Sequence, residues 1–117
     1  MLLSSPAPFG DHAEPTFEED AAGALRFALL RIKRESGHVI HDCAGRVIAA
    51  LGQADGNMAD ADLERAVIFE LELGPGELRF PGYAIDVLER LSVVSVKGDR
   101  VYLNPAVSEA VTRELFR

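Results

Sequence analysis

Apolar residues recur at helical spacing over most of this chain, and the breaks in that spacing mark its elements. From Phe17, the series Ala21, Ala24, Leu25, Ala28, Leu29 and Ile32 keeps one stripe, and Phe27 and Leu30 widen it beyond a narrow face. A helix that apolar is packed on two sides. Thr16 followed by Glu19 has the spacing of a capping box, and Arg31, Lys33 and Arg34 suit the last turns. A helix is therefore predicted over 16–36, closed by Gly37. Ile40, Cys43, Ala44, Val47, Ile48 and Leu51 form a second stripe, predicting a helix over 38–52. Gln53 to Asn57 reads as a loop with Asp55-Gly56 as its turn.

Asp60 is the expected N-cap of a helix over 60–72, with Leu63, Ala66 and Val67 on its apolar side. The strict alternation of Phe69-Glu70-Leu71-Glu72-Leu73 is a strand signal, so a hairpin over 69–80 competes with helix plus loop. Helix plus loop is preferred, because Glu and Leu are good helix formers. Pro81 opens a predicted helix over 81–91, with Tyr83 or Ala84, Val87, Leu88 and Leu91 inward. Val93 to Val96 and Val101 to Leu103 are β-branched and apolar runs joined across Lys97-Gly98-Asp99-Arg100, a hairpin. Asn104 caps a last helix over 105–116, with Val107, Ala110 or Val111, and Leu115 inward. Residues 1–15, with Pro6, Pro8, Gly10 and Pro15 and no apolar period, read as a mobile tail. Residues 16–117 are then one domain.

The order helix (38–52), helix (60–72), helix (81–91), hairpin (93–103) resembles the winged helix-turn-helix superfamily. The fold class expected is mainly α with a small β-hairpin, a winged helix-turn-helix core flanked by N- and C-terminal helices. The flanking helices are similar to the dimerising arms of small regulators of that superfamily. The resemblance implies a DNA-binding transcriptional regulator acting as a dimer. Its third helix would enter the major groove of double-stranded DNA and its wing would touch the backbone. Carried over, the DNA-binding candidates are Arg79, Tyr83 and Arg90 at the groove and Lys97 and Arg100 at the wing. The dimer or partner interface candidates are Phe17, Leu25, Phe27, Leu29 and Leu30.

Charge opens a second reading. The net charge is −7, unevenly spread. Residues 1–20 carry five acids and no Lys or Arg, 21–50 five bases against two acids, 51–80 seven acids against two bases, and 81–117 balance. A pI near 4.9 opposes nonspecific nucleic-acid binding. Two of the four polar residues of the third helix, Asp86 and Glu89, are acids that a phosphate backbone repels. The alternative is an acidic protein-protein interaction module (an adaptor, assembly subunit or inhibitor) on the same scaffold without DNA binding.

Other chemistry is sparse. His38 and His41 stand at i, i+3 beside Cys43, the only residues that suggest metal ligands. Cys43 falls on the apolar stripe, so no bound metal is expected. Gly74-Pro75-Gly76 lacks the Gly-Lys-Ser/Thr that grips phosphates, and reads as a turn. Arg26, Arg31, Lys33, Arg34 and Arg46 form a basic set that suits either phosphate contact or a solvated helix face. The acids Asp55, Asp60, Asp62, Glu64, Glu70, Glu72 and Glu77 lack the spacing of a calcium loop and read as a solvated acidic surface. No nucleophile context marks an enzyme, and no cofactor motif occurs. The N-terminus has no basic region before an apolar core, no membrane span is expected, and a single cysteine suits a reducing cytoplasm.

Overall fold

The computed structural model describes residues 15–115, with side chains through Val111. Residues 1–14, most of the stretch read as a tail, and Phe116 at the end of the last predicted helix lie outside the described residues. The chain is mainly helical with one small antiparallel sheet. Helix α1 is Ala21–Ser36, α2 His38–Gln53, α3 Asp60–Leu71, α4 Phe80–Arg90 and α5 Pro105–Leu115. Strand β1 is Asn57–Ala59, β2 Val94–Lys97 and β3 Arg100–Leu103. Among the described residues, no helix is long and apolar enough to cross a membrane.

Helix α1 begins one turn later than its sequence suggests. Thr16 Oγ1 does accept from the Glu19 amide at 3.2 Å, but that contact closes an isolated turn. Asp20, at φ −155°, breaks the helical run, and its carboxylate accepts from the Gly23 amide at 2.9 Å. A carboxylate at the positive end of the dipole is the stronger cap, so the helix starts behind it. The turn before it carries Phe17 back against the core. At the other end Gly37 takes φ +90° and donates to the Lys33 carbonyl at 3.1 Å, so one glycine separates α1 from α2.

Helix α2 is the axis of the domain. All six residues of its predicted stripe are buried, and α1, α3, α4, α5 and the sheet all pack on it. The two-sided character of α1 is met within the chain, because α2 and α5 cover it.

Strand β1 lies where a loop is expected. Asp55 (φ +60°) and Gly56 (φ +92°) turn the chain, and the next three residues join the free edge of β3. Asn57, Met58 and Ala59 pair with Tyr102, Val101 and Arg100, giving the sheet order β1-β3-β2. Three residues are too few to show an alternation. Their strand character comes from unsatisfied ladder groups on β3, a distant part of the sequence.

Helix α3 starts with Asp60 as its first residue instead of its cap; the cap position is Ala59, with no side-chain bond. The Asp60 amide donates to the Asp99 carbonyl at 2.7 Å, which ties the hairpin loop to the start of α3. The alternating segment resolves as helix plus loop. Phe69 to Leu71 complete α3, Glu72 turns left-handed at φ +53°, and a 3-10 turn follows at Pro75–Glu77. Helix α4 buries Pro81, Ala84, Ile85 and Leu88, while Val87 and Leu91 are half-buried and Tyr83 faces out. Of the alternatives Tyr83 and Ala84 it is Ala84 that turns inward, and Ile85, absent from the predicted inward set, joins it. Pro81 is the second helical residue, since Phe80 opens the helix.

Gly98, at φ +63°, makes the tight connection between β2 and β3. Asn104 then closes the domain. Its Oδ1 accepts from the Ala106 amide at 2.9 Å and its Nδ2 donates to the Ser92 carbonyl at 3.0 Å, joining α5 to the end of α4. Val107 and Ala110 of α5 complete the buried set.

Candidate functional site

At the outward face of α4, helices, the sheet and exposed polar side chains converge. It is held by the inward residues of the same helix, which pack on α2, and by β2 along its flank. A depression of about 280 Å³ opens there between α3, α4 and β2. Arg79, Tyr83 and Val96 line it together with four carboxylates, Asp60, Glu64, Asp86 and Glu89. A second depression of about 370 Å³ continues along α4 toward α2, lined by Ser36, Ile40, Tyr83, Asp86, Val87 and Arg90. Tyr83 and Asp86 belong to both, so the two form one groove along the helix.

Tyr83 is its central aromatic. It is 51% exposed and tilted against Phe80, ring centroids 6.2 Å apart. The Arg79 guanidinium lies over the same Phe80 ring at 5.2 Å. Phe80 thus contacts both the Tyr83 ring and the Arg79 cation that line the groove.

The carboxylates dominate the charge. Asp60 and Glu64 are one turn apart on α3 and approach α4 from above. The Glu64 carboxylate is close enough to α4 that a Cβ on Gly82 would stand 3.8 Å from it. Burial, the neighbouring Asp60 carboxylate with which it hydrogen-bonds, and Asp86 together push the Glu64 carboxyl above its ordinary range. Four acids against Arg79 and the more distant Arg90 leave the groove electronegative. Asp62, in the same first turn of α3, is paired with its neighbour Arg65.

The hairpin cations stand apart from this groove. Lys97 Nζ lies 5.6 Å from the centre of the Tyr102 ring, and Arg100 Nε donates to Asn57 Oδ1 at 2.9 Å. Both are exposed, but each is engaged by the sheet itself. The structure places Arg79 at the N-cap of α4, Tyr83 in its first turn and Arg90 in its last, at opposite ends of the groove. Lys97 and Arg100 sit on a short hairpin whose loop is tied to α3. The residues that sequence reasoning missed are Asp60 and Glu64 as part of the same site. Their i, i+4 spacing put them on one helical face, but nothing local showed that this face looks onto α4.

The five interface candidates separate. Phe17, Leu25 and Leu29 pack against the core. Phe27 is half-buried and lines a pocket of about 280 Å³ with Phe17, Ala28 and Leu91. Leu30 alone of the five is exposed, at 64%.

The metal-like trio also separates. Cys43 is fully buried, and burial, with Asp42 and Glu77 adding to it, pushes its thiol up to about 11. That disfavours the thiolate a metal or a nucleophilic reaction needs. His38 is exposed and His41 contacts Asp42 at 3.5 Å. Among the described residues, no group of three or more His, Cys, Asp or Glu side chains is placed to hold a metal ion.

Comparison of the chain with protein-family models, with curated proteins and with solved structures finds no match to any of them.

Proposed function

We propose that this chain is a protein-interaction module on a winged-helix scaffold, and that the α4 groove receives a basic segment of a partner protein. The scaffold reading rests on the order α2, β1, α3, α4, β2, β3 with the sheet order β1-β3-β2. In that scaffold α4 takes the place of the groove-reading helix and the β2–β3 hairpin takes the place of the wing.

One observation carries the functional reading. The surface that would face DNA presents Asp60, Glu64, Asp86 and Glu89 around Tyr83. Asp60 and Asp62 occupy the first turn of α3, a helix N-terminus where a phosphate would otherwise be welcomed. Bringing duplex phosphates against these carboxylates costs Coulomb energy. A Lys- or Arg-bearing peptide meets the opposite situation. Its cations pair with the carboxylates while an apolar neighbour covers Tyr83 and Phe80.

A DNA-binding regulator is the second reading. It is favoured by the exposure of Arg79, Arg90, Lys97 and Arg100 on the surface that the scaffold would turn toward the duplex. Fluorescence anisotropy at low salt separates the two, using a labelled Lys/Arg-rich peptide and a labelled random-sequence duplex. Expected is salt-sensitive binding of the peptide, lost in an Asp86→Lys, Glu89→Lys double variant, with no binding of the duplex. Duplex binding that weakens steeply with salt, and is lost in a Lys97→Glu, Arg100→Glu variant, would transfer the assignment to DNA.

A further inference from the structure

The α4 groove does not keep one sign of charge from end to end. Beyond the depression that Asp86 and Arg90 share, a third of about 210 Å³ opens between α4 and α1. It has Ser36, Val87 and Arg90 in common with its neighbour, so the three depressions are continuous. The stretch of α4 from Arg79 to Arg90 covers about 17 Å of helix axis. Along it the path moves around the helix, from the α3 and β2 side to the α1 side. Its apolar lining is unbroken: Ile85 and Val96 first, then Ile40 and Val87, then Ile32 and Leu91.

The two ends differ in the charges they leave unmet. At the α3 end, Asp60, Glu64, Asp86 and Glu89 have no ion-pair partner among the described residues. At the α1 end the charged groups are Arg31, Glu35 and Arg90. Arg31 and Glu35 meet one another at 3.1 Å, which leaves Arg90 as the cation there without an ion-pair partner among the described residues. Asp86 stands one turn before Arg90 on the same helix, yet the two do not come within ion-pair distance. Tyr83, 51% exposed, lies between the two ends.

Resting on the reading of this groove as a protein-binding surface, we propose that its occupant is bipolar. A short extended partner segment sets a Lys or Arg over the carboxylates at the α3 end, an apolar side chain over Tyr83 and Val87, and an Asp or Glu on Arg90. About five extended residues match the length of the groove. The planar guanidinium of Arg90 suits a carboxylate, which it can take with two parallel hydrogen bonds. A segment basic throughout would set a cation against Arg90, and one acidic throughout would set its carboxylates against the four acids. Each end of the groove therefore rejects the residue that the other end takes.

Selection from a random peptide library displayed on phage, run in parallel on the parent and on Arg90→Glu, tests this order of charges. Peptides taken by the parent are expected to carry a Lys or Arg and an Asp or Glu within about five residues of one another, with an apolar residue between. Peptides taken by Arg90→Glu should keep the base and lose the acid. In anisotropy titrations a peptide selected on the parent should bind Arg90→Glu at least about tenfold more weakly. Exchanging the acid of that peptide for Lys should restore its affinity for the variant. Arg90 is exposed, so the variant should keep the parent's circular dichroism spectrum. Arg90→Gln, which keeps a polar side chain without the charge, should remove only the preference for the acid. Basic peptides without an accompanying acid on the parent, the same peptides on both proteins, or an exchange that restores nothing would overturn the bipolar occupant and leave the partner reading standing. Selected peptides whose binding also survives the Asp86→Lys, Glu89→Lys change, or no selected peptides at all, would overturn both.

Discussion

Helices α2 and α4 lie against one another, yet they differ in what surrounds them. Helix α2 is enclosed by four helices and the sheet, and its Cys43, Ala44, Val47 and Leu51 have no exposed surface. Helix α4 buries one face on α2 and leaves the other to solvent, with Tyr83, Asp86, Glu89 and Arg90 exposed. The first helix is determined by what it excludes, water. The second is determined by what other elements bring to its open side. On α2 the residues of the helix account for its role. On α4 the charge of the face comes as much from Asp60 and Glu64 of α3 as from the helix itself.

The largest expected effects test whether α2 and α4 share one core. Leu51→Ala on α2 and Leu88→Ala on α4 should each lower unfolding stability by about 2–5 kcal/mol in urea titrations, since each empties a fully buried site. Tyr83→Ala, on the other side of α4, should stay within about 0.5 kcal/mol of the parent. A cost for Tyr83→Ala as large as that for Leu88→Ala would abolish the distinction between the two faces.

The open face is tested by charge. The Asp86→Lys, Glu89→Lys variant should bind the basic peptide at least about tenfold more weakly, roughly 1.4 kcal/mol in binding free energy. Titration by anisotropy reads this directly, and unchanged affinity would remove α4 from the binding surface.

A smaller effect is expected at the join behind α4. Asn104→Ala removes both the cap of α5 and the bond to the Ser92 carbonyl, and should cost about 1 kcal/mol in thermal or urea unfolding. No change would mean that α5 is held by Val107 and Ala110 alone.

The smallest concerns Glu64. Its carboxyl is raised in the folded protein, so the folded state binds this proton more tightly than the unfolded chain does. The stability it contributes is fully present below the ordinary carboxylate range. It is lost as pH rises through the raised value, leaving an ionised Glu64 unfavourably placed at neutral pH. Glu64→Gln should therefore raise the unfolding midpoint slightly at pH 7, with the gain shrinking toward acid. Midpoints measured across pH for both proteins check the sign. A gain that grows toward acid would contradict the crowding of Glu64 by Asp60 and Asp86.

Much of the architecture was legible along the chain wherever period and punctuation agreed. The stripe from Ile40 to Leu51, the pair of β-branched runs across Lys97 to Arg100, and Asn104 as a cap each depend on neighbours within a few residues. Helical period and turn chemistry encode those directly. Where two local signals competed, packing and capping strength decided. Asp20 prevailed over Thr16, and the alternation at Phe69 to Leu73 was absorbed into a helix end. Strand β1 was not legible at all, because its partner β3 lies more than 40 residues away. The candidate site was half legible: Tyr83 and Arg90 could be placed on one helix with Arg79 just upstream, but the acids Asp60 and Glu64 facing them could not.

Which residues leave water was already written in the order of the chain, since burial follows from the spacing of apolar side chains on helices whose geometry is fixed. The character of the remaining surface emerged with packing. Packing used the apolar width of α1 inside the chain, left Leu30 and Phe69 outside, and set the first turn of α3 against α4. The reason is physical: local hydrogen bonding and hydrophobic period act within a few residues. The charge and shape of a surface are sums over elements that the chain brings together only when it folds.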